Sequence, residues 1–276
     1  MKKAPILLTL CSLILVLSSC TTQLAKLERS NEYGELFNGA VAFYEKGQYS
    51  KAKVLFERIQ PFYRGSEYSE KIRYYWAYCE YYSGLYQLAA YQFGVFYGTY
   101  GRSPLAEEAQ FMEAYSLYLD SPGPDLEQSS SESAVVAMQT FLNRYPASQY
   151  YQEANDIIDE LQVRFETKAY QTAKLYYRLS TGLSFRNYLE AALTTFQSFK
   201  SDYPDSKYNE ELMFLSVETS FKLADNSIFS LKEERFDRTL DLYKDFIERF
   251  PVSEYSDKAK DYFERSTNEL NKLKTN

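Results

Sequence analysis

Five times along this chain a small residue is followed, four and then three positions later, by two bulky apolar ones. The sets are Ala52, Phe56, Ile59; Ala89, Phe93, Phe96; Ala134, Met138, Phe141; Ala192, Phe196, Phe199; and Thr239, Tyr243, Phe246. Offsets of four and three fall on one helical face, and the small member lets a neighbouring helix come close. The last member of each set opens a recurrent segment. It is clearest in FLNRYPASQY from Phe141, FKSDYPDSKY from Phe199 and FIERFPVSEY from Phe246, and weaker in IQPFYRGSEY from Ile59 and FYGTYGRSPL from Phe96. Pro or Gly ends the helix there, and Ser66, Ser103, Ser148, Ser206 and Ser253 are candidate N-caps for the next one. The pattern predicts helix, turn, helix in five units near 33–65, 66–102, 103–147, 148–205 and 206–252. A polar helix near Ser256 to Leu273 then caps the array over 253–276.

Two departures matter. The third unit carries an insertion, SPGPDLEQSSSES from Ser121 to Ser133, which reads as a polar surface loop. The fourth is long because it holds a helical stretch from Tyr150 to about Tyr177, with Ala154, Ile157, Ile158, Leu161 and Phe165 at helical offsets. Ahead of the units, the stretch from Thr21 to about Asn31 is polar and shows no clear apolar face, so 20–32 is expected to be a tether.

The first residues are organised differently. Lys2 and Lys3 precede an apolar run from Ile6 to Leu17, and Leu17-Ser18-Ser19-Cys20 follows. About a dozen apolar residues are too few to span a bilayer core, which needs roughly 20, so residues 1–19 read as a secretory signal peptide. LSSC resembles the lipobox of bacterial lipoproteins, in which the cysteine is acylated and becomes the first mature residue. On that reading Cys20 carries the lipid that holds the protein to a membrane.

Composition narrows the function. The formal charge is −7 and becomes −9 once Lys2 and Lys3 are removed, which argues against nucleic acid as a partner. With Cys11 gone and Cys20 acylated, Cys79 is the single remaining thiol, so no intramolecular disulfide is possible and the core must hold the fold. There is no histidine, which removes most triads, His-ligated zinc sites and the commonest general base. Phosphate-binding glycine loops and CxxC pairs are also missing, and carboxylate pairs such as Glu107-Glu108, Glu210-Glu211 and Glu233-Glu234 read as solvated helix surface. The chain is expected not to be an enzyme and to need no cofactor or metal. Its 28 tyrosines beside one tryptophan instead ask for an explanation.

Within the first two units the series Ala40, Gly47, Tyr49, Ala52, Phe56 and Ala77, Gly84, Tyr86, Ala89, Phe93 resembles the tetratricopeptide repeat. That resemblance implies an all-α, right-handed superhelical solenoid of about five helix pairs plus a C-terminal capping helix. In such arrays the first helix of each pair lines a groove. Carried over position by position, the lining is Phe37, Val41 and Tyr44, then Tyr74, Tyr78 and Tyr81, then Phe111, Tyr115 and Tyr118. These rings either pack between helices or form an aromatic trough for peptide, and their accumulation favours the trough. Such a peptide site should offer stacking surface and few fixed charges. The later units carry Lys200, Asp202, Asp205, Lys207, Arg235, Asp237 and Arg238, either ordinary solvated charge or a face for a second partner.

The lipobox, the short tether, the five units and the F-x3-[YF]-P-x-S-x-Y segment together resemble the BamD family, lipoprotein components of the outer-membrane β-barrel assembly machinery. The segments VAFYEKGQYSKAKVLFERI, FYRGSEYSEKIRYYWAYCEYYSGLYQLAAYQF, LDSPGPDLEQ and VRFETKAYQTAKLYYR are similar to the form of that family found in Bacteroidetes-type bacteria. The resemblance implies, as partners, the POTRA domains of a BamA-type barrel protein and other Bam subunits. As substrates it implies unfolded outer-membrane proteins, recognised through their C-terminal β-signals. Thr21-Thr22-Gln23-Leu24 carries neither an inner-membrane retention signal nor a surface-export signal, so the periplasmic leaflet of the outer membrane is the expected location. Two alternatives are another periplasmic tetratricopeptide adaptor of the CpoB type and a glycan-binding helical lipoprotein of the SusD kind. The first usually begins with a coiled coil, and no sustained heptad precedes Leu36; the second is about twice as long.

Overall fold

The computed structural model describes residues 23–180 and 185–275. The expected signal peptide, Cys20 and the two residues after it lie outside the described residues. What is described is all helical, with no strand among the described residues. A short helix α1 covers 23–29. It is followed by α2 (Tyr33–Glu45), α3 (Tyr49–Ile59), α4 (Glu67–Tyr82), α5 (Tyr86–Thr99), α6 (Ala106–Asp120) and α7 (Ser129–Arg144). Then come α8 (Tyr151–Leu179), α9 (Phe185–Asp202), α10 (Asn209–Asp225), α11 (Phe229–Arg249) and α12 (Ser256–Thr275). Consecutive helices pack on one another from α2 to α7 and from α9 to α12, the arrangement of a tetratricopeptide-like solenoid. The chain forms two compact units, the first ending at Leu161 and the second beginning at Gln162, both within α8.

The repeated offsets explain the packing. Ala52, Ala89, Ala134, Ala192 and Thr239 are all fully buried, as are the anchors Ile59, Phe96, Phe141 and Phe246, with Phe199 at 2 % exposure. Any larger side chain at the small positions would push two helices apart. The turns are specified as closely. Gly47 and Gly84 have φ of 69° and 73°, which a side chain would strain. Each closes a helix with paired bonds, Gly47 N–H to Tyr44 and Gln48 N–H to Phe43 in one turn, Gly84 N–H to Tyr81 and Leu85 N–H to Glu80 in the other.

Three expectations are corrected. The repeat serines do not cap the helices. Ser148, Ser206 and Ser253 accept bonds at 3.1 Å from the amides of Tyr150, Tyr208 and Tyr255, two residues on, and the helices start one residue later. They build a tight turn that delivers the tyrosine, and no side-chain bond caps α4 at Ser66. The segment expected as a tether carries α1, whose Leu24 and Leu27 pack on the first core cluster with Leu36, Phe43 and Phe56. The approach is so close that a Cβ on Gly39 would stand 2.6 Å from Leu27 Cδ1. Arg58 pins the same segment by donating to the carbonyls of Glu28 and Ser30. The inserted loop is also shorter than expected, because 129–133 already forms the first turn of α7. Gln128 is 5 % exposed and folds the loop by donating to the carbonyls of Gly123 and Leu126 while accepting from Ser131.

Candidate functional site

The tyrosine at the end of each serine turn lies on a ring of the preceding first helix. Tyr150 stacks on Phe111 at 4.4 Å, Tyr208 on Tyr170 at 4.0 Å and Tyr255 on Phe214 at 4.7 Å, all within 13° of parallel. Tyr68 meets Phe37 edge-on at 5.2 Å, and in the remaining turn Leu105 stands in place of the ring. Two of the candidate trough residues, Phe37 and Phe111, are therefore partners in this packing. Phe111 is 3 % exposed and also touches Phe141. Tyr78 is 8 % exposed and packs on Phe93 at 5.0 Å. Those two rings support the surface more than they form it.

The other candidates are half-buried and run ring to ring across α2, α4 and α6. Tyr44 touches Tyr75 at 4.9 Å and Tyr82 at 6.3 Å. Tyr74 touches Tyr78 at 4.9 Å, Tyr81 reaches Tyr115 at 6.4 Å, and Tyr115 continues to Phe111 and Tyr118. The sequence reading missed Tyr82, which is 49 % exposed and joins Tyr44, Tyr49, Tyr78 and Tyr81. Its signal was present, since it stands four residues after Tyr78 on the same face.

The expectation of few fixed charges does not hold. Tyr78 donates to Glu108, Tyr118 donates to Glu160 at 2.7 Å, and Glu153 acts on both Tyr81 and Tyr115. Burial first, and these carboxylates second, push the phenols of Tyr74 and Tyr78 well above their ordinary value; burial and the Glu153 charge do the same for Tyr115. Tyr44 is raised by burial and by its tyrosine neighbours. Tyr44, Tyr74, Tyr78, Tyr81 and Tyr115 are therefore neutral phenols at physiological pH. The hydroxyls of Tyr44, Tyr81 and Tyr115 make no hydrogen bond among the described residues and are not sealed from solvent, which leaves them as donors and acceptors. Beneath the surface, burial pushes the Cys79 thiol up to about 12, which keeps it protonated and unreactive. Next to it the buried Glu80 pairs with Lys53 at 3.0 Å and accepts from Trp76 at 3.2 Å.

The first helices of the second unit carry another chemistry. Tyr170 donates to Glu211 at 2.6 Å with Lys174 on the same carboxylate, and Tyr177 donates to Glu218 at 2.9 Å with Lys222 at 2.5 Å from Glu218. Burial pushes Glu211 up, but the bonds from Lys174 and Tyr170 outweigh it and leave the carboxyl below its usual range. Of the charges singled out in these units, Arg235 pairs with Glu190 at 2.8 Å, Lys200 with Asp245 at 3.5 Å, and Lys207 lies over the ring of Tyr208. Arg235, Asp237 and Arg238 stand on α11, and Lys200 and Asp202 on α9, so these five belong to second helices and not to the tyrosine-bearing face.

Among the described residues no group of His, Cys, Asp or Glu is placed to hold a metal ion, and no helix is long and apolar enough to cross a membrane. A family model described as YfiO, an outer membrane lipoprotein, matches residues 29–182, which is more than half of the chain and includes every residue of the tyrosine surface. No curated protein matches the chain.

Proposed function

We propose that this chain, which belongs to the YfiO family of outer membrane lipoproteins, is a scaffold of outer-membrane β-barrel assembly that recognises unfolded barrel proteins by their C-terminal signals. The observation that carries the reading is the half-exposed tyrosine surface of α2, α4 and α6, which lies wholly inside the segment matched by the family. A C-terminal β-signal is an extended, alternating apolar strand ending in an aromatic residue. Half-exposed rings offer it stacking area, while the hydroxyls of Tyr44, Tyr81 and Tyr115 can bond a backbone whose ladder partners have not yet formed. The carboxylates of Glu108, Glu153 and Glu160 fix the rings and add a preference for segments with few acidic residues.

The reading places the protein on the periplasmic side of the outer membrane, held by lipid on Cys20. It assigns the POTRA domains of a BamA-type barrel protein and other Bam subunits as partners, and no catalysis. The inserted third unit supports the Bacteroidetes-type form of the BamD resemblance. The test is affinity purification of the tagged, anchored chain from detergent-solubilised envelope. A barrel protein with POTRA domains should co-purify; its absence, with wall-synthesis proteins or glycan-handling proteins in its place, would transfer the assignment to one of the alternatives. Cys20→Ser should leave unprocessed or mislocalised precursor after a high-salt wash, and normal outer-membrane levels of that variant would remove the lipid from the account.

A further inference from the structure

The second helix α5 differs from its counterparts in having no charged side chain, and residues 81–101 contain none at all. Its outward face nevertheless holds Leu88 at 48 % exposure and Tyr91 at 66 %, with Val95 half-buried. The equivalent faces of α3, α7, α9 and α11 each present exposed charge, at Glu57, Glu132, Glu190 and Asp237. A helix apolar on all sides is normally covered, and this face lacks a partner among the described residues.

Beside it runs a groove. Tyr91 and Tyr97 of α5 form one wall, Ser133 and Val136 of α7 the other, and Glu113 and Leu117 of α6 the floor. Its two stretches enclose about 530 Å³ and 380 Å³. Each wall is a stripe at helical spacing, and a stripe of ten residues runs about 15 Å. The floor carboxylate presses against α5 so closely that a Cβ on Gly94 would stand 2.6 Å from Glu113 Oε1. The Tyr97 phenol acts on Glu113, but no cation pairs with the carboxylate among the described residues, and burial raises its pKa. Glu132 also lines the groove, Asp120 binds Gln87 and Ser130 at its edge, and among the described residues no Lys or Arg lines it. Arg144 lies against the ring of Tyr97 at 6.0 Å and lines a different pocket.

We propose that this groove receives an amphipathic helix of a partner chain that lays its apolar face on Leu88, Tyr91 and Val136 and inserts a lysine or arginine onto Glu113. Small residues at Ser133 and Ala137 admit a helix at close range, and the acidic floor supplies the counter-charge for a buried cation. A bilayer would rest on the ridges of α5 and α7 and leave the floor unpaired. A second copy docking α5 on α5 would bring no cation, since 81–101 has none. The site is separate from the tyrosine surface and stands or falls without it.

The test places the photo-reactive residue benzoylphenylalanine at Tyr91 in the anchored full chain, cross-links in cells and sequences the attached segment. The expected adduct is a helical segment with Lys or Arg among apolar residues. Its yield should fall roughly tenfold or more in Glu113→Gln, with no loss of melting temperature, because the change removes an uncompensated charge. Ser133→Trp, which fills the groove from an exposed position, should give the same loss and decides the matter if Glu113→Gln folds poorly. Tyr115→Ala should leave the adduct unchanged. Cross-linking to lipid, to a second copy or to a segment without a basic residue overturns the proposal, as does the absence of an adduct or a yield indifferent to Ser133→Trp.

Discussion

The two compact units share a packing rule and differ in what they show to solvent. In both, a serine turn delivers a tyrosine onto a ring of the preceding helix, as Tyr150 on Phe111 in the first and Tyr208 on Tyr170 in the second. In the first unit the first-helix face beyond that contact is mostly ring against ring, with Tyr78 and Tyr118 donating to Glu108 and Glu160. In the second it is tyrosine, carboxylate and lysine, as in Tyr170, Glu211 and Lys174. The repeat positions therefore fix how helices stack, while the positions between them set the chemistry of the face. A face of phenols edged by carboxylates suits an apolar peptide poor in acidic residues; a face of matched ions satisfies itself and offers little to such a peptide.

Four tests probe that contrast. The largest effect should come from Glu80→Ala in the first unit, which leaves Lys53 and Trp76 without their buried partner and should cost about 3–5 kcal/mol, read from denaturant unfolding. Next, Ala89→Phe should destabilise by about 1–3 kcal/mol through overfilling, and Thr239→Phe should do the same in the second unit. A clear inequality would mean that the small positions are not equivalent. Third, Tyr150→Ala and Tyr208→Ala should each cost about 1–2 kcal/mol, since both remove one stacked ring. If only one of them lowers stability, the shared rule is broken.

The smallest effect concerns acid. The folded pKa of Glu211 is lowered, so its contribution is present above the unfolded value of 4.5 and lost as pH falls through the folded one. Glu113 in the first unit is raised, so its contribution is present below 4.5 and lost as pH rises through the folded value. Hydrogen exchange corrected for intrinsic rates should therefore show the second unit losing protection before the first between pH 5 and pH 3. The opposite order would mean that these two carboxylates do not govern the difference.

Much of the fold was legible because its determinants are periodic. Ala52, Ala89 and Ala134 announce helix contacts by size and spacing alone, and the glycines at 47 and 84 announce their turns. The serine turns were misassigned because a hydroxyl that bonds an amide two residues on looks, in sequence, like one that caps a helix. Leu24 and Leu27, three apart, were the signal for α1, too short a pattern to stand out from a polar segment. The ring positions of the trough followed from the repeat. Their carboxylate partners did not, because Tyr78 to Glu108 and Tyr118 to Glu160 bridge residues 30 and 42 apart, and nothing local marks such pairs. The exposure of α5 was likewise invisible as a site, since an uncharged apolar helix reads in sequence as core.

The central claim is that the tyrosine surface of the first unit binds an extended peptide. The direct measurement is calorimetric titration of the mature chain with a synthetic peptide of alternating apolar residues ending in phenylalanine, paired with melting temperatures. The comparison runs across Tyr81→Ala, Tyr115→Ala and Tyr208→Ala. The account predicts that the first two lose about 2 kcal/mol of binding, roughly thirtyfold in affinity, while melting close to the unsubstituted chain. Tyr208→Ala should melt early and bind unchanged once folded. If Tyr81→Ala and Tyr115→Ala instead melt early and bind the peptide at full affinity, the rings are core and the binding site lies elsewhere.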